Sequence, residues 1–147
     1  MHLSTRGHYG LLAMFDLAER YSTEPIALKT VAERQNISDN YLEQLIAILR
    51  KAGLVRSVRG AQGGYILARD PGTITVGDII RAMEGPIALV ECVREIEPTE
   101  CEQTDSCITR HVLTKVRDKL VEVMDSISLA DMLHDAEKMT ANKEMQA

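Results

Sequence analysis

The chain has 147 residues, and its 45% apolar content excludes disorder as the main state, while a 3% aromatic content favours a core of packed aliphatic helices. No apolar run reaches the length of a signal peptide or a membrane span, which predicts a cytoplasmic protein. The net charge of −5 does not exclude nucleic acid, because residues 1–70 carry nine Lys and Arg against seven Asp and Glu, and the acidic excess lies in the remaining residues.

Three helices are predicted first. One covers about residues 7–21 and is ended by the Ser22-Thr23-Glu24-Pro25 break, and the second covers residues 28–35. After a short turn, the third runs from its N-cap Ser38 to about residue 52. The side chains expected to face the core are Leu11, Leu12, Phe15 and Ala18 of the first helix, Leu28, Val31 and Ala32 of the second, and Leu42, Leu45, Ile46 and Leu49 of the third.

Two short strands follow, over about residues 54–59 and 65–68, and the glycine-rich loop 60–64 joins them. Two helices around a tight turn followed by a hairpin form a winged helix-turn-helix, so residues 1–72 are predicted to be a DNA-binding domain. Thr75 and Asp78 have the spacing of a capping box, which predicts a connecting helix and a turn within residues 73–89.

The remainder is predicted to be an acidic loop followed by helices. Residues 90–106 hold two cysteines and six acids without periodicity, which indicates a loop. A long helix is expected from about Cys107 to Ser126, and residues 107–135 include a short terminal helix that Ser128 caps. Residues 136–147 are predicted to be a disordered tail. A near-heptad apolar spacing suits helix pairing through Val112, Val116, Leu120, Val123 and Ile127. The predicted fold class is mainly α with a small β wing.

A set of polar and basic side chains is placed to contact DNA. On the third helix, amide and carboxylate groups opposite the apolar stripe match base edges, and arginines beside a glycine loop suit a narrow minor groove. Any one of these residues also fits a solvated surface, and the ordered set favours DNA binding. The predicted contacts are Arg6, Ser38, Asn40, Tyr41, Glu43, Gln44, Arg50, Arg56, Arg59 and Gly60.

The three cysteines, Cys92, Cys101 and Cys107, fall within sixteen residues, and His111 follows the last of them by one helical turn. This ligand set fits an iron–sulfur cluster or a zinc site, although the tight cysteine pair that is usual for zinc is absent. Disulfides are disfavoured because the count is odd and the chain is expected to be cytosolic. Simple burial of the thiols fits badly, since Cys101 lies between two glutamates.

An electron-transfer protein or a redox enzyme would be a different class of function for such a cluster. The sequence holds no nucleotide or flavin fingerprint and no pairing of a nucleophile with a base. The chain is therefore predicted not to be an enzyme.

Several long segments of the sequence resemble the Rrf2 family of bacterial regulators. They are residues 1–10, 37–45, 54–65, 75–80 and 84–86, and the resemblance extends to about residue 135, most closely to the IscR-like iron–sulfur branch. It implies a homodimer formed by the long C-terminal helices, a recognition helix in the major groove and a wing in the minor groove. It also implies that Cys92, Cys101 and Cys107 hold a cluster, with [2Fe-2S] favoured over [4Fe-4S].

The cysteine loop departs from that branch. Its first gap is longer, and the place of the branch's histidine ligand is taken by Arg110, so that His111 lies about 100° further around the helix. His8 of the partner subunit is the rival fourth ligand. The CymR branch, which controls cysteine metabolism without a cluster, shares the N-terminal motifs, and a thiol- or zinc-dependent regulator is therefore the alternative.

Overall fold

The computed structural model describes residues 2–21 and 24–147, and the break predicted at Ser22 and Thr23 lies outside them. Within these ranges the helices are α1 Thr5–Glu19, α2 Leu28–Gln35, α3 Asp39–Lys51, α4 Val76–Glu84, α5 Ile108–Ser126 and α6 Leu129–Gln146. Strands β1 Val55–Val58 and β2 Gly64–Leu67 form one antiparallel hairpin. The predicted mainly α fold with a small wing is confirmed. None of the described helices is both long and apolar enough to cross a membrane.

The helix-turn-helix consists of α2 and α3. After α2 ends at Gln35, Asn36 adopts a left-handed backbone with φ 53°, and Ile37 turns into the core. Ser38 then caps α3 by accepting a hydrogen bond from the Tyr41 amide at 3.3 Å. The apolar stripe predicted for α3 is fully enclosed, and it comprises Leu42, Leu45, Ile46 and Leu49.

The inward face of α1 differs from the prediction. Ala18 is buried as expected, but the large enclosed side chains are Met14 and Leu17, whereas Leu11 and Phe15 are only half-buried. Leu11 and Phe15 line a groove of about 490 Å³ between α1 and α6. The correction has a physical cause, because α4 packs against a different face of α1, where a Cβ atom at Gly10 would lie 2.7 Å from the Met83 side chain.

The wing is attached to the helix-turn-helix by a short backbone bridge. Val55 lies opposite Leu67 and Val58 opposite Gly64 in the hairpin. Ile26, just before α2, donates to the Tyr65 carbonyl at 3.0 Å, and Tyr65 donates back at 2.8 Å. The position of β2 is therefore fixed relative to α2.

Helices α4 and α6 begin side by side, each with a capping box. Thr75 and Asp78 exchange hydrogen bonds at the start of α4, and Ser128 and Asp131 do so at the start of α6. The backbones of the two capping residues, Thr75 and Ser128, pair in an isolated antiparallel β-bridge. Leu129, the first residue of α6, is fully enclosed. The tail over residues 136–147, predicted to be disordered, is instead helical through Gln146, because this capped helix continues in residues with good helix propensity.

Candidate functional site

The outward face of α3 is polar and accessible. Asn40, Glu43 and Gln44 are all exposed, and they lie near the N-terminus of the helix, opposite its buried stripe. Asn and Gln amides can pair with adenine, and a Glu carboxylate can accept a hydrogen bond from the cytosine amino group. The arrangement therefore presents base-pairing chemistry on a helix that is held from behind by the core.

Two further predicted contacts lie at the start of α3. Ser38 uses an oxygen lone pair as the helix cap, which leaves its hydroxyl hydrogen to donate to a phosphate. Tyr41 is half-buried, and its ring packs edge-on against Tyr9 of α1, with the centroids 5.9 Å apart. Tyr41 therefore also fixes the N-terminal turn of α3 against α1.

The basic residues predicted to contact DNA are exposed on three elements. Arg59 and Gly60 lie at the tip of the wing, where Gly60 has a φ of +123° and its carbonyl accepts from the Gly63 amide at 3.0 Å. Arg56 is exposed on β1, Arg50 in the last turn of α3 and Arg6 in the first turn of α1. Within residues 2–21 and 24–147 none of these four arginines forms an ion pair, so their charges are available to phosphates.

An ion pair that was not predicted, between the enclosed Asp16 and the partly exposed Arg34, fixes α2 against α1. The Asp16 carboxylate is fully enclosed, and it accepts hydrogen bonds from Arg34 at 2.6 and 2.9 Å and from Gln35 at 3.0 Å. Burial alone would raise the pKa of Asp16, but the hydrogen bonds from Arg34 and Gln35 outweigh it and hold the pKa below its usual value. The only sequence signal is one carboxylate within an apolar run of α1.

The second candidate site is the cysteine segment, residues 90–107. Cys92 is half-buried in a 3-10 turn, Cys107 is the half-buried N-cap residue of α5, and Cys101 is exposed between them. None of the three forms a disulfide. Arg117 of α5 holds the base of the segment by donating to the Val93 and Arg94 carbonyls at 3.0 and 3.3 Å.

Cys107 has the surroundings of an activated thiol. The Thr109 hydroxyl oxygen lies 3.1 Å from its sulfur, and this hydrogen bond lowers the pKa of Cys107, with further help from the backbone amides of Arg110 and Thr109. A lowered pKa favours the thiolate, which is the form of cysteine that binds metals and reacts with oxidants.

Within the described residues of the single chain, neither His111 nor His8 joins the cysteines in a group that could hold a metal ion. Arg110 turns toward the cysteine segment and donates to the Cys92 carbonyl at 3.4 Å, whereas His111 and His8 are exposed. Among the residues that the structure describes, no three His, Cys, Asp or Glu side chains converge where they could hold a metal ion. The three thiols fit a sulfur-ligated centre by their chemistry, and the participation of His111 or of His8 stays a prediction.

Known proteins match this chain over most of its length. The family model described as "Rrf2: Iron-dependent Transcriptional regulator" matches residues 3–135. The transcriptional regulator CymR of Bacillus subtilis (strain 168) is 46% identical over 132 residues, which cover 90% of this chain and 89% of that protein. The regulator IscR of Enterobacter sp. (strain 638) is 36% identical over 147 residues, which cover 100% of this chain and 88% of that protein.

Solved structures share this architecture. The structure described as T. potens IscR superposes with a TM-score of 0.78 and 54% identity, covering 95% of this chain and 90% of that one. The structure of CymR, described as the global cysteine regulator of B. subtilis, superposes with a TM-score of 0.76 and 43% identity, covering 90% of this chain and 95% of that one.

Proposed function

Because the chain belongs to the Rrf2 family of transcriptional regulators, we propose that it binds promoter DNA as a homodimer whose affinity an iron–sulfur cluster controls. The relatives named above are regulators of transcription rather than enzymes. The observation that carries DNA binding is the exposed polar face of α3 next to a wing whose Arg56 and Arg59 form no ion pair with any residue that the structure describes. Such a protein acts where the chromosome is, in the cytoplasm.

DNA recognition follows from this surface. The N-terminal turns of α3 enter the major groove, where Asn40, Glu43 and Gln44 meet base edges. The wing tip, with Arg59 and Gly60, approaches the minor groove. The phosphate contacts come from Arg6, Ser38, Tyr41, Arg50 and Arg56.

The homodimer is supported by an apolar face that the single chain leaves uncovered. No residue of α5 is fully buried, although the helix has 19 residues. Ile108, Val112, Val116 and Val123 are 73%, 49%, 45% and 55% exposed, and the valines share one face. A second copy of α5 would cover this face and hold two recognition helices at the roughly 34 Å that successive half-sites require.

The cysteine segment supplies the regulatory site in this proposal. Cys92, Cys101 and Cys107 hold the cluster, [2Fe-2S] by preference, with His111 or His8 of the partner subunit as the fourth ligand. When bound, the cluster supplies sulfur–iron bonds that order the segment and a centre that oxidants or nitric oxide attack. The lowered pKa of Cys107 favours the thiolate that such a ligand must provide.

A cluster-free regulator of sulfur or cysteine metabolism, dependent on thiols or zinc, is the second candidate. The 46% identity to CymR favours it, and so does the absence of a converged metal-ligand group among the described side chains.

Purification under anaerobic conditions distinguishes these candidates. The proposal predicts a brown protein with visible absorbance and about two iron and two sulfide ions per chain. Cys101→Ser should lose the colour, whereas Ser106→Ala, a neighbouring control, should keep it. A colourless protein with one zinc per chain supports the alternative, and a colourless protein without metal leaves a thiol-based regulator.

Arg59→Ala should weaken binding to every DNA sequence about tenfold, because a charged wing-tip contact to the backbone is lost. The slope of log affinity against log salt should fall by about one phosphate contact. Fluorescence anisotropy with labelled duplexes over a salt series measures both quantities.

Arg69→Ala is the matched control for this substitution, because Asp78 already pairs with Arg69 at 3.2 Å. It should change neither the affinity nor the slope. Unchanged binding by Arg59→Ala would remove the wing tip from the interface.

A further inference from the structure

Arg81 of α4 lies between two carboxylates from different parts of the chain. It donates to Glu95 of the cysteine segment at 2.9 and 2.7 Å, and to Asp125 in the last turn of α5 at 2.7 and 2.9 Å. Four of its five N–H bonds are used in these two bidentate pairs. We call these three residues the Arg81 bridge.

The Glu95 carboxylate of the Arg81 bridge has a second hydrogen-bond donor, whereas the Asp125 side chain is 42% exposed. Glu95 is 16% exposed, and it also accepts from the Ile87 amide at 3.0 Å, just beyond the end of α4. The hydrogen bonds from Arg81 lower the pKa of Glu95 and the pKa of Asp125 below their usual values. Both groups therefore stay charged at neutral pH, and the bridge persists there.

Gly77 supports the bridge independently. Gly77 is the second residue of α4, where alanine would suit the helical backbone at least as well. A Cβ atom at Gly77 would collide with the Asp125 carboxylate and would lie 2.8 Å from Nη1 of Arg81. The glycine thus provides the space in which Asp125 reaches Arg81.

Helix α4 connects the bridge to the DNA-binding domain. Its Ile79 and Met83 are buried in the same core as α1 and α3. Glu84, at its end, accepts a hydrogen bond from the Ser4 amide at 2.8 Å and thereby holds the start of α1. A displacement of α4 therefore moves the helices that support α3.

We propose that Arg81 is a positioning residue that couples the cysteine segment to the DNA-recognition helix. That a cluster supplies the signal to this segment rests on the proposed function. The coupling between the segment and α3 requires only that the protein binds DNA. We expect the segment held by Arg81 to favour DNA binding; because coupling between two sites is reciprocal, bound DNA must then stabilise the cysteine segment. This consequence can be measured without any metal.

The test is hydrogen exchange of the full-length, metal-free protein with and without a duplex that the wild type selects from a random pool. In the wild type, saturating DNA should slow exchange of the amides at residues 91–99 about fivefold or more. Glu95→Gln, which removes the charge and one of the two acceptor oxygens that face Arg81, should abolish most of this slowing. Gly77→Ala, which displaces Asp125 although it favours the helix, should reduce it too.

The matched control is Glu122→Gln on α5, which breaks only the exposed pair with Lys119 and should keep the slowing. The coupling is overturned if DNA leaves exchange at 91–99 unchanged in the wild type, or if both Glu95→Gln and Gly77→Ala retain the full slowing. Neither result tests the proposal that the protein holds a cluster. A colourless protein after anaerobic purification would contradict that proposal. The two proposals therefore fail separately.

Discussion

Replacing Asp16 by alanine should lower the free energy of unfolding by about 3 kcal/mol, because the charge-assisted hydrogen bonds from Arg34 and Gln35 to this enclosed carboxylate are lost. Arg34 and Gln35 would lose a carboxylate that accepts three hydrogen bonds from them. Since these residues end α2, the helix-turn-helix should lose its fixed position on α1. Urea denaturation with linear extrapolation measures the change.

The effect of Asp16→Ala has a defined pH dependence. The pKa of Asp16 is lowered in the folded protein, so its stabilisation is fully present above the unfolded value of about 3.9 and is lost as the pH falls through the folded value. The difference between wild type and variant should be constant from pH 5 to 7 and shrink below about pH 4. A difference under 1 kcal/mol at pH 7, or one that grows in acid, would contradict the account.

Glu19→Ala on the same helix is the control, because its pair with Arg20 is exposed. Exposed ion pairs contribute about 0–1 kcal/mol, so this variant should stay close to the wild type.

The second large effect is expected from charges on the exposed face of α5. The double variant Val112→Glu, Val116→Glu would bring four carboxylates into one apolar interface, and we expect it to be a monomer. With one recognition helix in place of two linked ones, DNA affinity should fall at least about a hundredfold. Sedimentation and anisotropy on the same samples measure assembly and binding.

Met145→Glu provides the control, because this side chain is 86% exposed near the end of α6. It replaces an apolar side chain by a carboxylate away from the valine face. Both the dimeric state and the affinity for DNA should be unchanged. A double variant that is still dimeric would show that the valine face is not the interface.

Local signals explain which parts of the fold could be predicted. The start of α3 follows from the Ser38 cap, its buried face from four apolar residues at helical spacing, and the wing from two strands around glycines. Each of these features depends on neighbours within a few residues. The exposed polar face of α3 follows for the same reason, because the face opposite a buried stripe is accessible.

The parts that were predicted wrongly or missed depend on distant partners. The buried face of α1 was misassigned because α4, which is distant in sequence, packs on its Gly10 side, and the length of α6 was underestimated. Asp16 meets residues 18 and 19 positions away, and Arg81 meets carboxylates 14 and 44 positions away. Periodicity carries no information about such pairs.

The cysteine segment could be predicted only in part. Its cysteines are evident in the sequence, and so is the ambiguity of the fourth ligand, because Arg110 rather than His111 follows Cys107 by three residues. The structure adds that Arg110 faces the segment through the Cys92 carbonyl. A ligand supplied by a second subunit cannot be inferred from contacts within one chain.

The most direct test of the central claim compares the affinity of the metal-loaded and the metal-stripped protein for the same promoter duplexes, measured anaerobically at one salt concentration. The account predicts affinities that differ about tenfold or more for at least one promoter, and a Cys107→Ser variant that always binds like the stripped form. Equal affinities of the two forms for every promoter would contradict it.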